Sequence, residues 1–433
     1  MALYRMNPPI PNRLERFLAL VFSLFLMART LFADDILQDR VAFVADFPGG
    51  SLGAVERISA EEYRMEAPVQ QDEKNLNRQR TWFAFRMDNL PTAKPVRVSF
   101  HTFDSCYNGR ETFPRWVGSC PVFSADGKTW TNFSSDQSVW NDEDRTLTIT
   151  ITPQMRSAGG RSLYVAYTAM YVAADLARLE AEVESSPFVR KEIVGQSLEN
   201  RPLTLFTISD FSVPLIQKKQ FVILAREHAW EAHTSWQADA MVRFLASDSP
   251  EAAAIRQRAA FYVFPLVDID GAENGQIRFN GNGYDVNRRW NEVDLNSEES
   301  KRLRPEVWFV KKKIVDLNRA RKIDTFVNLH NDTHTDYIDA AGDPDRDWPR
   351  FRKLERLLLQ TENYDPLEKK PICLIPTADS TVHSTFDLWW DNGIPGLMIE
   401  QKVCKNQKLN REPTVNDSCR RGVELVKILD ACF

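Results

Sequence analysis

The stretch QFVILAREHAWEAHTSWQADAMVRFLA, Gln220 to Ala246, decides the fold. It opens with a short apolar run, QFVILA, of the length of a buried strand. From Ser235 the period changes, and Trp236, Ala240, Met241, Phe244 and Leu245 recur along one face of a helix. A strand running straight into a helix is half of a strand–helix–strand unit. Polar residues crowd the joint, Arg226-Glu227-His228-Ala229-Trp230-Glu231.

Further apolar runs lie on either side: PLTLFTIS (Pro202–Ser209), FYVFPLVDID (Phe261–Asp270), DTFVNLH (Asp324–His330) and GLMIE (Gly396–Glu400). Between and after them, Pro305–Arg319, Trp348–Thr361 and Val415–Leu429 carry helical patterns. Such alternation implies an α/β domain over 173–433, with a mixed, mostly parallel sheet covered by helices on both faces. Upstream of residue 172 the pattern is different. VRVSF (Val96–Phe100) and TLTITIT (Thr146–Thr152) alternate with period two, and TWFAFRM (Thr81–Met87) and SLYVAYTAMYV (Ser162–Val172) are aromatic, β-branched runs. An all-β sandwich over 36–172 is expected, with the helical DLARLEAEVESS (Asp175–Ser186) as connector.

Composition agrees with two folded domains. The 433 residues are 43% hydrophobic and include 26 Phe and 11 Trp, while 17 Gly and 23 Pro are too few for a collagenous or low-complexity chain. A net charge of −5 leaves no basic excess, so no nucleic-acid partner is expected. Residues 1–33 read as a signal peptide: Arg5, Arg13 and Arg16 precede the apolar Phe17–Ala28, and Ala33 offers a small residue for cleavage. Twelve helical residues span about 18 Å, short of the ~30 Å hydrocarbon core, so no membrane anchor is expected once the signal is removed. The protein is thus expected to be exported, periplasmic or secreted, in a bacterium. An even count of six cysteines suits two or three disulfides, with Cys106–Cys120 the most local pair. No C-x-x-C pair occurs, which disfavours a cysteine zinc site.

The polar residues at strand ends carry the chemistry, because open α/β sheets bind ligands there. His228 and Glu231 are three apart at a strand-to-helix turn, and His330 ends the strand DTFVNLH. Two His and one Glu would hold one Zn²⁺ per chain and would leave a coordination position open, the pattern of a catalytic site. Alone, H-x-x-E recurs by chance, and a lone strand-end histidine is better explained as a hydrogen-bonded core residue. Three features shift the balance. A Gly/Asn-rich loop, Asp270–Arg278, is followed by Asp285-Val286-Asn287-Arg288, which brings two Arg and an Asn suited to a carboxylate or an oxyanion. Glu400 then ends an otherwise apolar strand, where a charge is costly unless paired or functional.

Together these residues resemble the zinc metallocarboxypeptidases, and within them the cytosolic-carboxypeptidase-like branch. FPGGSLGAVERI (Phe47–Ile58) and RTWFAFRM (Arg80–Met87) are similar to that branch's amino-terminal β domain, and VGQSLENRPLTLFTISD (Val194–Asp210) to the start of its catalytic domain. DG-x2-NG-x2-R (Asp270–Arg278) and D-x-NR (Asp285–Arg288) keep the family's spacing. The resemblance implies an exopeptidase acting on C-termini of peptides or proteins. His228, Glu231 and His330 would hold Zn²⁺, and Glu400 would be the general base that takes a proton from the attacking water and passes it to the leaving amine. Arg278 would stabilise the oxyanion, and Asn287 and Arg288 would grip the terminal carboxylate. There are departures: Asn331-Asp332-Thr333-His334 follows His330, and the family's capping tyrosine, expected a little over twenty residues before Glu400, has no counterpart. His383 occupies that region and reads as structural or pocket-lining.

Other features take plainer readings. His233 lies about 200° around a helix from Glu231 and should not share the metal, His334 is not at a strand end, and His101 belongs to the surface of a β strand. Glu292–Glu299 and Lys311–Lys313 read as solvated faces. A preference for acidic C-terminal residues would need a cation in the side-chain pocket, for which Lys402 and Arg289 are candidates. Asn132, Asn331 and Asn416 stand in glycosylation sequons. Two alternatives remain: a zinc amidase or deacylase acting on small amino-acid conjugates or peptidoglycan stems, and a non-catalytic binding module.

Overall fold

The structure, a computed structural model, describes residues 40–101, 103, 105–107, 109–112, 121–366, 373–374 and 383–433. The segment read as a signal peptide lies outside these residues. So do Cys120 and the side chain of Cys373. Cys106, Cys404, Cys419 and Cys432 are free thiols, so the disulfide expectation gains nothing among the described residues.

Two five-stranded sheets face each other in the amino-terminal part. Period-two alternation builds them. In Val96–Phe100, Val96, Val98 and Phe100 are buried while Arg97 is exposed, and Thr146–Ile151 alternates likewise. The inward residues meet Phe83, Phe85, Leu163 and Val165 of the opposing sheet in one core, where Phe83 and Phe100 stack at 4.3 Å. A third sheet of four short strands, including Arg78–Gln79 and Ser105–Tyr107, lies beside them. The run Ser162–Val172 forms a strand only over Leu163–Ala166.

The carboxyl-terminal part is an eight-stranded mixed sheet whose four central strands are parallel. In spatial order these are Ala259–Phe264, Lys219–Ala225, Thr325–Asp332 and Gly396–Lys402. They are buried almost throughout, so they read as continuous apolar runs. Ala232–Ala246, Pro305–Arg321, Trp348–Leu358 and Val415–Cys432 are the helices that the periodicity predicts. Because the central strands are parallel, their carboxyl ends share one edge of the sheet. His228, His330 and Glu400 therefore meet there although 172 residues separate the first from the last.

The two parts are joined closely. Gly49 N donates to Glu273 O at 2.6 Å, and Trp82 Nε1 donates to Gly49 O at 3.0 Å. Gly275 has φ +62°, and a Cβ there would stand 2.3 Å from Gly50 O, so only glycine allows this approach. Trp230, which sits between His228 and Glu231 in the chain, is 8% exposed and belongs to the amino-terminal core beside Tyr167. One reading is corrected: Lys311 is not on a solvated face but buried, donating to Trp290 O at 2.9 Å and pairing with Asp387.

Candidate metal centre

The strand Lys219–Ala225 ends against a tight turn. Arg226 takes a left-handed conformation, φ 64°, and its buried guanidinium donates to Ala229 O, inside the turn, and to Tyr171 O. That fold of the chain turns His228 and Glu231 towards each other. His228 Nδ1 lies 2.7 Å from Glu231 Oε1, and His330 Nδ1 lies 2.7 Å from Glu231 Oε2. All three residues are buried, and their donor atoms lie within 4.8 Å of one another.

The outer ring nitrogens are also held. Asp285 Oδ1 lies 3.1 Å from His228 Nε2, and Glu227 Oε2 lies 3.2 Å from His330 Nε2. Each imidazole thus has a carboxylate at its outer nitrogen and a Glu231 oxygen at its Nδ1. Burial pulls the His330 imidazole down, yet the charge of Glu231 together with hydrogen bonds to Glu227 and Glu231 carries it up to about 10. A site that draws a proton onto a buried imidazole favours a cation at its centre. Two imidazoles and a carboxylate fit zinc.

The centre opens into a cavity of about 310 Å³. Arg278, Asn287, Arg288 and Glu400 all line it, as do Ser105, Thr81 and Gln79 from the amino-terminal part. Arg278 Nε donates to Asp285 Oδ2 at 2.6 Å. Burial opposes ionisation of Asp285, but Arg278 and His228 hold its carboxyl well below the usual carboxylate range. Asn287 Oδ1 accepts from Ser384 N and Oγ, and its Nδ2 lies 2.8 Å from His330 Nε2. Arg288 Nε donates to the Tyr107 hydroxyl at 3.2 Å. Glu400 pairs in register with His330; its Oε1 accepts from the Tyr337 hydroxyl at 3.3 Å, and its buried Oε2 has no partner. Burial, with Glu231 and Asp332 nearby, lifts the Glu400 carboxyl to about 8 against the pull of His330.

Elsewhere His233 bonds Ser418 at 2.6 Å, His101 is exposed, and His383 packs on the Phe386 ring. The two cations considered for an acidic pocket are both occupied: Lys402 pairs with Asp365 at 3.0 Å in the interior, and Arg289 pairs with Glu73 and Glu292. Neither lines the cavity. Asn331 is buried and its Nδ2 donates to His330 O, so that sequon offers no free amide.

Four participants escaped the sequence reading. Asp285 was visible as the first residue of D-x-NR, but its hold on both His228 and Arg278 was not. Tyr337 could have been found from the alternating YIDAA that follows His330. Gln70 and Tyr107 carry no local signal, since they reach the site from about 200 residues away. Gln70 Oε1 accepts from the backbone N–H of Ile277, Arg278 and Phe279 at 2.9, 2.6 and 3.0 Å, and its Nε2 donates to Phe279 O at 2.6 Å.

Residues 176–356 match the zinc carboxypeptidase family, and residues 43–167 match the cytosolic carboxypeptidase N-terminal domain. The first match takes in His228, Glu231, Arg278, Asn287, Arg288 and His330 and stops before Glu400. Cytosolic carboxypeptidase 2 of Danio rerio is 22% identical over 331 residues, 72% of this chain and 43% of the relative. Cytosolic carboxypeptidase 6 of Caenorhabditis elegans is 24% identical over 302 residues, 68% of this chain and 62% of the relative. The chain thus spans only about half the length of these curated relatives. Metallo-carboxypeptidases from Burkholderia cenocepacia and Pseudomonas aeruginosa share the fold, with TM-scores of 0.74 and 0.72 at 20% and 21% identity. Each alignment covers 90% of this chain and 98% of the other. With its mixed sheet and its His-Glu-His centre, the stretch 176–356 has the character of the zinc carboxypeptidase family that it matches, and 43–167 that of a cytosolic carboxypeptidase N-terminal domain.

Proposed function

We propose that the protein is an exported zinc exopeptidase that hydrolyses the C-terminal residue of peptides or proteins. The observation that carries this reading is the meeting, in one cavity, of the His228–Glu231–His330 cage, the Glu400 carboxylate and the Arg278 and Arg288 guanidiniums. Zinc, when bound, supplies a Lewis acid that polarises the scissile carbonyl and acidifies a water. The rest belongs to the chain. Arg288, steadied by Tyr107, binds the substrate's terminal carboxylate, and Asn287 lies beside it as a second polar contact. A free C-terminus is thereby required. Arg278, aimed by Asp285 and Gln70, stabilises negative charge on the carbonyl oxygen as water adds. Glu400 takes the water's proton at its carboxylate and delivers it to the departing amine. Tyr337 keeps that carboxylate oriented.

Export rests on the arginines and apolar run of residues 1–33. None of the described helices is long and apolar enough to cross a membrane. Domain limits of 36–172 and 173–433 suit the change from β-only to alternating elements. Among the described residues Arg278 and Arg288 are the Lys/Arg side chains that line the cavity, so a preference for acidic C-terminal residues has no further cation to support it.

Purified protein tests the reading by elemental analysis and a C-terminal release assay on a peptide library. About one zinc per chain, lost in His228→Ala, with single residues released from free C-termini only, is the expected result. Glu400→Gln should keep the zinc and lose turnover. Zinc without release would favour the amidase or peptidoglycan alternative, and no zinc under metal-replete conditions would leave the binding module.

A further inference from the structure

Glu227 immediately precedes His228, yet its side chain crosses to the other histidine. It is 0% exposed. Its Oε2 accepts from Asn328 Nδ2 at 2.5 Å and lies 3.2 Å from His330 Nε2 and 3.5 Å from Ser384 Oγ. Its Oε1 has no partner. Among the described residues the one basic group it contacts is His330. A carboxylate so buried and so thinly satisfied is expensive to keep unless it is paired or serves a metal site. Elsewhere in the interior Lys311–Asp387, Lys402–Asp365 and Arg421–Asp336 are such pairs, while Asp268 and Glu306 rest on backbone and amide donors and touch no histidine.

Resting on the zinc reading above, we propose that Glu227 is a positioning residue for the metal: it accepts the His330 Nε2 proton and so commits Nδ1 to the ion. The geometry repeats what Asp285 does for His228, so each imidazole is gripped from behind by a carboxylate. Asn287 Nδ2 also lies near His330 Nε2, at 2.8 Å, but an amide NH₂ can only donate. Once Nδ1 binds a cation, Nε2 must carry the proton, and Glu227 is the acceptor within reach. Asn287 then gives up its His330 contact, which frees its NH₂ to turn towards the cavity it lines.

Removing such a partner costs about 10–100-fold in metal affinity. The test uses the full chain as wild type, Glu227→Gln and Glu227→Asp. Zinc dissociation constants are measured by competition with a chromophoric chelator, alongside metal-free unfolding temperatures and the visible spectrum of the cobalt-substituted proteins. Gln keeps the size and can still accept from Asn328, so a mere strand clamp would survive that change. The expected result is a 10–100-fold weaker zinc site in Glu227→Gln with altered cobalt bands, an unchanged metal-free unfolding temperature, and partial recovery in Glu227→Asp. Affinity within twofold of wild type overturns the proposal. So does a Glu227→Gln chain that loses metal-free stability or fails to fold, which would make Glu227 a structural acid. If wild type itself binds no zinc, the zinc reading fails first, and that outcome is distinct from the other two.

Discussion

His233 shows how one buried side chain sets an acid limit on this fold. It lies fully inside the protein, bonded to Ser418, and burial, reinforced by the charge of Arg226, pushes its imidazole down to about 4 from the ordinary 6.5. The unfolded chain protonates this group below 6.5 while the folded one does not. Its contribution is therefore complete above pH 6.5 and drains away as pH falls towards 4, about 3 kcal/mol in total. In metal-free protein, His233→Gln should flatten the dependence of unfolding free energy on pH by roughly one proton across that window; an unchanged slope would contradict it. Tyr107 offers a second test at this scale. Its hydroxyl oxygen accepts a hydrogen bond from Arg288 Nε, and Tyr107→Phe removes that acceptor. KM for substrates with a free C-terminus should rise about tenfold while kcat holds, as steady-state kinetics would record.

At the scale of elements, the joint after Lys219–Ala225 carries the candidate metal ligands on one side and meets the amino-terminal core on the other. Trp230 is the hinge pin of that arrangement, because its ring packs into the core while its neighbours carry the ligands. Trp230→Ala should lower stability by about 3–5 kcal/mol in denaturant titrations and reduce zinc retention, whereas Trp230→Phe should be much milder. Elements also explain what the sequence could reveal. The central strands were legible because burial on both faces makes them plain apolar runs, and His228, His330 and Glu400 stood out as polar ends to such runs. Val189–Gln196 was not legible: it is an edge strand, VRKEIVGQ, exposed along most of its length and rich in charge. Pro250–Arg258 carries almost no apolar stripe, so periodicity could not find it. Gln70 and Tyr107 reach the site only through the packing of one part on the other, which no local pattern encodes.

For the molecule as a whole, the amino-terminal sheets and the mixed sheet share buried surface. Trp230, Ile277 and Val403 come from the carboxyl-terminal part yet belong to the amino-terminal core. A chain beginning at residue 173 would bare these three side chains and lose the wall formed by Gln79, Thr81 and Ser105. It should aggregate on purification, detectable by light scattering, and should not recover release of C-terminal residues when the missing part is added in trans. A soluble, active 173–433 fragment would contradict this account. Gln70 carries the point further. Its amide stands in for a neighbouring strand, meeting three consecutive backbone N–H groups and one carbonyl around Arg278. Recombination between relatives that exchanged the amino-terminal part as a cassette would inherit or lose this splint in one step, and with it the aim of Arg278. The two parts should therefore have been inherited together, and a chimera assembled at the 172/173 junction should work only when its donor supplies an amide at the position of Gln70.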